Sequence, residues 1–159
     1  PVTGFAEGRP MFVRKPDAKF SLANFMRTHI LSSLATIKIG NDILIKEEGV
    51  TVDCIMGQGG LFRTPVVGQK RLAAALSTSV TVMDTASEGG PWGMAVLAAY
   101  MANKADGETL SAYLNDKVFA GQTGTTLAPD AADVAGFDAF VESYKACFAA
   151  EHGAVDNWK

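Results

Sequence analysis

The stretch Val50-Thr51-Val52-Asp53-Cys54-Ile55-Met56-Gly57-Gln58-Gly59-Gly60 decides the fold of this chain of 159 residues. Branched and apolar residues from Val50 to Met56 predict a buried β-strand, and the run stops at a glycine cluster. Beyond it, Thr64-Pro65 offers an N-cap and first-turn pair, and Val66, Val67, Leu72, Ala75 and Leu76 predict a helix ending near Ser77. The order strand, glycine loop, helix then repeats. Val80-Thr81-Val82-Met83 reads as a second strand, Asp84 to Gly90 as a polar, glycine-rich turn, and Pro91 to about Asn103 as an Ala-rich helix. Such alternation favours parallel strands covered by helices, with ligands at the carboxyl ends of the strands. Both glycine turns are expected at that edge of the sheet.

Upstream, Leu22, Phe25, Met26, Ile30, Leu34 and Ile37 are spaced by three and four, which predicts one face of a long helix capped by Ser21 and reaching past Gly40. Pro1 to Lys19 precede it as an irregular entry, with Met11-Phe12-Val13 as an edge strand or extended arm. The start at Pro1, without methionine, suggests a piece of a longer chain. Downstream, Thr109 to Phe119 reads as helical, Gly121 to Thr126 as a connecting loop, and Val134, Phe137, Phe140, Val141, Tyr144 and Phe148 as the apolar side of a packing tail.

With 48% apolar residues the chain can build a core, and its length suits one domain. Fourteen basic residues, scattered among seventeen acidic ones, leave a net charge of −3 and no footprint for nucleic acid. Cys54 and Cys147 stand in apolar and helical contexts without metal-ligand spacing, which suggests two core packing residues in a reducing, cytoplasmic setting. No apolar stretch reaches about 18 residues, so no membrane partner is expected.

Backbone without Cβ atoms at Gly57, Gly59 and Gly60 lets a ligand approach closely, and the next helix N-terminus favours a phosphate or a nucleoside edge. A tight turn that merely needs positive φ explains the same glycines equally well. The second turn, Ser87-Glu88-Gly89-Gly90-Pro91-Trp92-Gly93, carries Glu88 as a ligand contact or a capping acid and Trp92 as core filling. Only the pairing of the two loops makes a site. His29 and His152 lack partners at catalytic or metal-binding spacing, and no metal site is expected.

Taken together, these motifs resemble the C-terminal domain of the FGGY family of carbohydrate kinases, in particular its ribulokinase and xylulokinase branches. Gly57-Gln58-Gly59-Gly60 and Thr64-Pro65 stand where the family has its first glycine turn and the Ser or Asn and Pro that follow. Gln69 matches a family glutamine in the next helix, while Leu72-Ala73 replaces the usual Ala-Asp pair. Glu88-Gly89-Gly90-Pro91-Trp92-Gly93-Met94-Ala95 matches the family's Glu-x-x-x-x-Gly-x-Ala turn and is the more telling motif. The helix around Asn24 to Thr28 lacks the acid the family carries there.

The resemblance implies an α/β fold of the actin-like, RNase H-like ATPase type, a mixed sheet with covering helices, in which residues 1–159 form one C-terminal nucleotide-binding domain. It implies ATP with Mg²⁺ held mainly through the nucleotide, bound at Gly57, Gly59, Gly60, Thr64, Glu88, Gly89 and Gly93. The catalytic Asp and most sugar contacts belong to an N-terminal domain, so this part alone is expected to be inactive. The implied reaction moves the ATP γ-phosphate to a sugar hydroxyl, of a ketopentose such as xylulose or ribulose, in a protein that can pair as a homodimer. A non-catalytic actin-like scaffold is the alternative. A flavodoxin-like or Rossmann-like domain is a third reading, and it requires five or more parallel strands.

Overall fold

The computed structural model describes residues 7–84, 86 and 89–158. In chain order the elements are α1 (Leu22–Lys46), β1 (Cys54–Gly57), a 3-10 turn (Gly60–Phe62), α2 (Val67–Leu76), β2 (Ser79–Met83) and α3 (Gly89–Asn103). There follow α4 (Leu110–Tyr113), which runs into a π turn (Leu114–Val118), then β3 (Gly124–Leu127), α5 (Ala131–Ala146) and α6 (Phe148–Asn157). They fall into a helical unit, residues 1–52, 74–77 and 129–159, and a sheet unit, residues 53–73 and 78–128.

In the helical unit, the Ser21 hydroxyl accepts the Asn24 amide at 3.2 Å and starts α1 where the sequence predicts. Asp130 does the same for α5, its Oδ1 accepting the amides of Ala132 and Asp133 at 3.0 Å. Helix α1 packs on α5, burying Leu34, Ala35 and Lys38 of α1 together with Phe137 and Val141 of α5. The expected apolar stripe is therefore only partly used. Leu22, Met26 and Ile37 stay exposed, Ile37 although it lies next to the buried Lys38. Residues 7–20 contain no strand; Met11, Phe12 and Val13 form an exposed arm between Pro10 and Pro16, two residues that have no amide to give to a ladder.

The sheet unit holds a three-stranded mixed sheet in the order β1-β2-β3. Strands β1 and β2 are parallel, with Cys54 opposite Ser79 and Gly57 opposite Val82, as the repeated strand-loop-helix order requires. Strand β3 is antiparallel to β2, with Val80 opposite Leu127 and Met83 opposite Gly124. Only one pair of strands is parallel among the described residues, which is not the arrangement of a flavodoxin-like or Rossmann-like domain.

Several expectations need correction here. Strand β1 begins at Cys54 rather than Val50 and, among the described residues, is an edge strand with a neighbour on one side. Its alternation therefore leaves Cys54 and Met56 exposed while Gly57 turns inward, so Cys54 is a surface thiol and not a core residue. Its Sγ lies 3.2 Å from Thr81 Oγ1, which in turn lies 2.7 Å from Thr126 Oγ1, in a polar row across the three strands. Gly121 to Thr126 is not simply a loop, since Gly124 opens β3. The predicted helix from Thr109 breaks after Tyr113 into the π turn. Helix α2 starts at Val67, and Val66 before it has φ +70°, so Thr64-Pro65 does not cap it.

Candidate functional site

The two glycine turns meet at the carboxyl ends of β1 and β2. The Gly59 amide donates to the Ala86 carbonyl at 2.6 Å. Gly59 reaches that position with φ +102° and ψ −172°, a conformation open essentially to glycine alone. From the other side, a Cβ on Gly89 would stand 3.1 Å from the Gln58 Cβ and 3.6 Å from the Gly59 nitrogen, so the start of α3 sits directly against the first turn.

The glycines expected at the site divide by what surrounds them. Gly57 serves packing, because a Cβ there would lie 2.5 Å from the Phe62 ring. Gly59 is required by its backbone conformation, and at Gly89 a Cβ would press tightly on Gln58. Gly60 and Gly93 have no atom within 4 Å of the Cβ position, so neither fold packing nor a positive φ demands a glycine there. Gly60 is exposed in the 3-10 turn, and Gly93 is half-exposed in the second turn of α3. Glu88 lies outside the described residues.

Thr64 is placed elsewhere. It lines a cavity of about 290 Å³ together with Phe62, Val66, Gln69, Met83 and Asp84, close to the lower end of small-molecule sites. The expected glycines do not line this cavity. Its floor is fixed by Gln69, 3% exposed, whose Nε2 donates to the Val80 carbonyl at 2.8 Å and the Thr125 carbonyl at 2.6 Å, tying β2 to β3. Asp84 enters from the end of β2, its Oδ2 accepting the Thr123 hydroxyl at 3.0 Å. Val66 borders the same space in its left-handed conformation, which a β-branched residue adopts at a cost. Asp84 and Val66 were not singled out from the sequence. The position of Asp84, first residue after a strand, was a usable signal, whereas nothing in the sequence announces positive φ at a valine.

Trp92, expected as core filling, is half-buried against Phe119, with ring centroids 5.7 Å apart. No three His, Cys, Asp or Glu side chains converge on a metal position among the described residues. No helix of the described residues is long and apolar enough to cross a membrane.

The chain is of the α/β class, with two glycine turns joined at the carboxyl ends of its parallel strand pair. The model of the C-terminal domain of the FGGY family of carbohydrate kinases matches residues 2–102, well over half of the chain, and the chain belongs to that family. The matched segment includes both glycine turns and nearly all of α3. No curated protein and no solved structure matches the chain.

Proposed function

We propose that this chain is the nucleotide-binding C-terminal domain of a two-domain, ATP-dependent carbohydrate kinase, with the RNase H-like, actin-like ATPase fold and a cytoplasmic setting. The observation that carries the reading is the bonded junction of the two turns, with open Cβ positions at Gly60 in the first turn and Gly93 in the helix after the second. Side-chain-free backbone fits a nucleoside, whose flat base and ribose need close approach over an extended contact. Gly57, Gly59 and Gly89 hold the turns in place for that contact, and Thr64 and Asp84 bring polar groups to the neighbouring cavity, where a carboxylate suits ribose hydroxyls and repels phosphate.

ATP, when bound, supplies the phosphoryl group, and Mg²⁺ arrives with its phosphates, in keeping with chemistry that rests on positioning and charge stabilisation. The catalytic base and most sugar contacts come from an N-terminal domain, and closure of the two domains brings sugar and nucleotide together. The sugar class is a ketopentose such as xylulose or ribulose, on the resemblance of the whole pattern to the ribulokinase and xylulokinase branches. The test is Gly60→Val in the complete enzyme. A side chain intruding at the nucleotide raises the ATP KM, and an unchanged KM counts heavily against this reading.

A second reading has one observation in its favour. Met94, Leu97 and Met101 form an exposed apolar row on α3, which suits a scaffold that uses this helix for contact with another domain or a second copy. That scaffold shows no response to nucleotide in the complete protein.

A further inference from the structure

Within the helical unit, the arm around Met11 to Phe20, the first turns of α1 and the junction of α5 with α6 border an open cavity of about 900 Å³, large enough for an organic molecule of drug size. One wall is a ring cluster: Phe12, Phe20 and Phe25 pack edge to face with centroids 5.3 to 6.2 Å apart, and Phe25 meets His29 at 4.6 Å. On the α5–α6 side, Tyr144 sits between Phe140, stacked at 6.3 Å, and Phe148, edge-on at 5.2 Å. Polar side chains in the lining are engaged locally. Asn24 donates to the Lys19 carbonyl, Thr28 to the Asn24 carbonyl and Ser32 to the His29 carbonyl. A sugar, which needs many hydrogen-bond partners, is poorly served here.

Charge completes the description. Arg14, Lys15 and Lys19 line the cavity, while Arg9, Lys38, Lys46 and Lys145 of this unit are held in ion pairs. Arg14 stands over the Phe20 ring at 5.7 Å, and the Lys15 ammonium meets a hydroxyl, Ser143 Oγ, at 3.4 Å. Glu151, the acidic side chain of the lining, accepts the Arg9 amide at 3.2 Å. Aromatic walls thus adjoin three cations with no carboxylate partner among the described residues. We propose that this cavity binds an amphipathic organic anion, a flat aromatic body lying between the rings with its carboxylate, sulfonate or phosphate turned to Arg14, Lys15 and Lys19. The proposal is independent of the nucleotide site, which lies on other residues.

The test uses 8-anilinonaphthalene-1-sulfonate as probe on the complete protein that carries this chain. Cys147, half-buried in the cavity lining, reports occupancy through its rate of alkylation by iodoacetamide, read by peptide mass spectrometry. The expected result is saturable binding of one probe per chain, with Cys147 alkylation slowed several-fold. The Lys15→Gln/Lys19→Gln double variant, shown to be folded by its circular dichroism, weakens binding roughly five- to tenfold. Absence of saturable binding overturns the proposal. So does binding that the double variant leaves unchanged, which is apolar adsorption, or binding that leaves the Cys147 rate untouched, which is a site elsewhere. A Cys147 that is unreactive before the probe is added also overturns it, because another part of the protein then fills the cavity.

Discussion

Gly59 and Ala86 are joined by a backbone hydrogen bond of 2.6 Å, donated by the Gly59 amide, so the turn after β1 and the turn after β2 are held as one piece. The bond depends on a glycine-only conformation at its donor, φ +102° and ψ −172°. A side chain at Gly59 meets no neighbour within 4 Å, so any penalty for adding one is conformational and not steric.

Gly59→Ala is accordingly expected to lower stability by about 1–3 kcal/mol, the usual cost of a non-glycine residue in that region. Gly136→Ala supplies the contrast. Gly136 lies inside α5 with open space around its Cβ position, and alanine there is expected to stabilise by roughly 0.5–1 kcal/mol. Urea unfolding of the two variants checks both signs. Equal midpoints would mean that the turn is not constrained as described.

Gln69→Leu leaves the carbonyls of Val80 and Thr125 without the side-chain amide that joins them. The expected loss is on the order of 1–3 kcal/mol for each carbonyl that stays dry. Amide exchange locates the damage: protection should fall along β2 and β3 and persist in α1 and α5. A uniform change across both units would contradict a local role for Gln69.

Lys38 is 7% exposed and pairs with Asp42 at 2.9 Å, in its own helix, and with Asp138 of α5 at 3.4 Å. Burial by itself would raise the Asp42 pKa, but hydrogen bonds from Lys38 and Lys46, together with their charges, hold it below the ordinary carboxylate value. A carboxyl with a depressed folded pKa contributes stability that is present above its unfolded value, near 4, and is lost as the pH falls through the folded one. Acid unfolding should therefore steepen below about pH 4 in the parent and be shallower in Asp42→Asn. Lys38→Met should destabilise by about 1–2 kcal/mol at neutral pH, less than for a fully buried pair, because Asp138 is half open to water. Thermal unfolding between pH 3 and 7 tests both statements.

The strand-loop-helix alternation was legible because β1, α2, β2 and α3 carry apolar runs separated by glycine-rich or short polar turns. The joining of the two turns was likewise readable from their common position at strand ends. What the sequence hid has physical reasons. Gly124–Leu127 forms β3 with the short, polar string GTTL, which owes its strandedness to Met83 and Val82 of the neighbouring strand rather than to a pattern of its own. Thr64-Pro65 has the chemistry of a helix start, yet Val66 turns left-handed and delays α2 to Val67. In the site, the glycines announced themselves by composition, whereas Asp84 acquires its place only when β3 brings Thr123 beside it.

That last contact allows the nucleotide reading to be separated from a merely structural one. If the Asp84 carboxylate only anchors Thr123, then Asp84→Asn, which weakens the 3.0 Å bond by removing its charge, and Thr123→Val, which removes it, should both change the ATP KM of the complete enzyme only slightly. If Asp84 also receives a ribose hydroxyl in the 290 Å³ cavity, Asp84→Asn should raise the KM about five- to tenfold beyond Thr123→Val, the difference between a hydrogen bond to a charged group and one to a neutral amide. That excess should shrink with 2′-deoxy-ATP or 3′-deoxy-ATP, whichever lacks the hydroxyl concerned, while kcat stays within about twofold because the reacting phosphate is remote from the ribose. Steady-state kinetics with the three nucleotides decides the matter. Identical KM values for the two variants on all three would remove Asp84 from the site and leave it a residue that pins β3 to the end of β2.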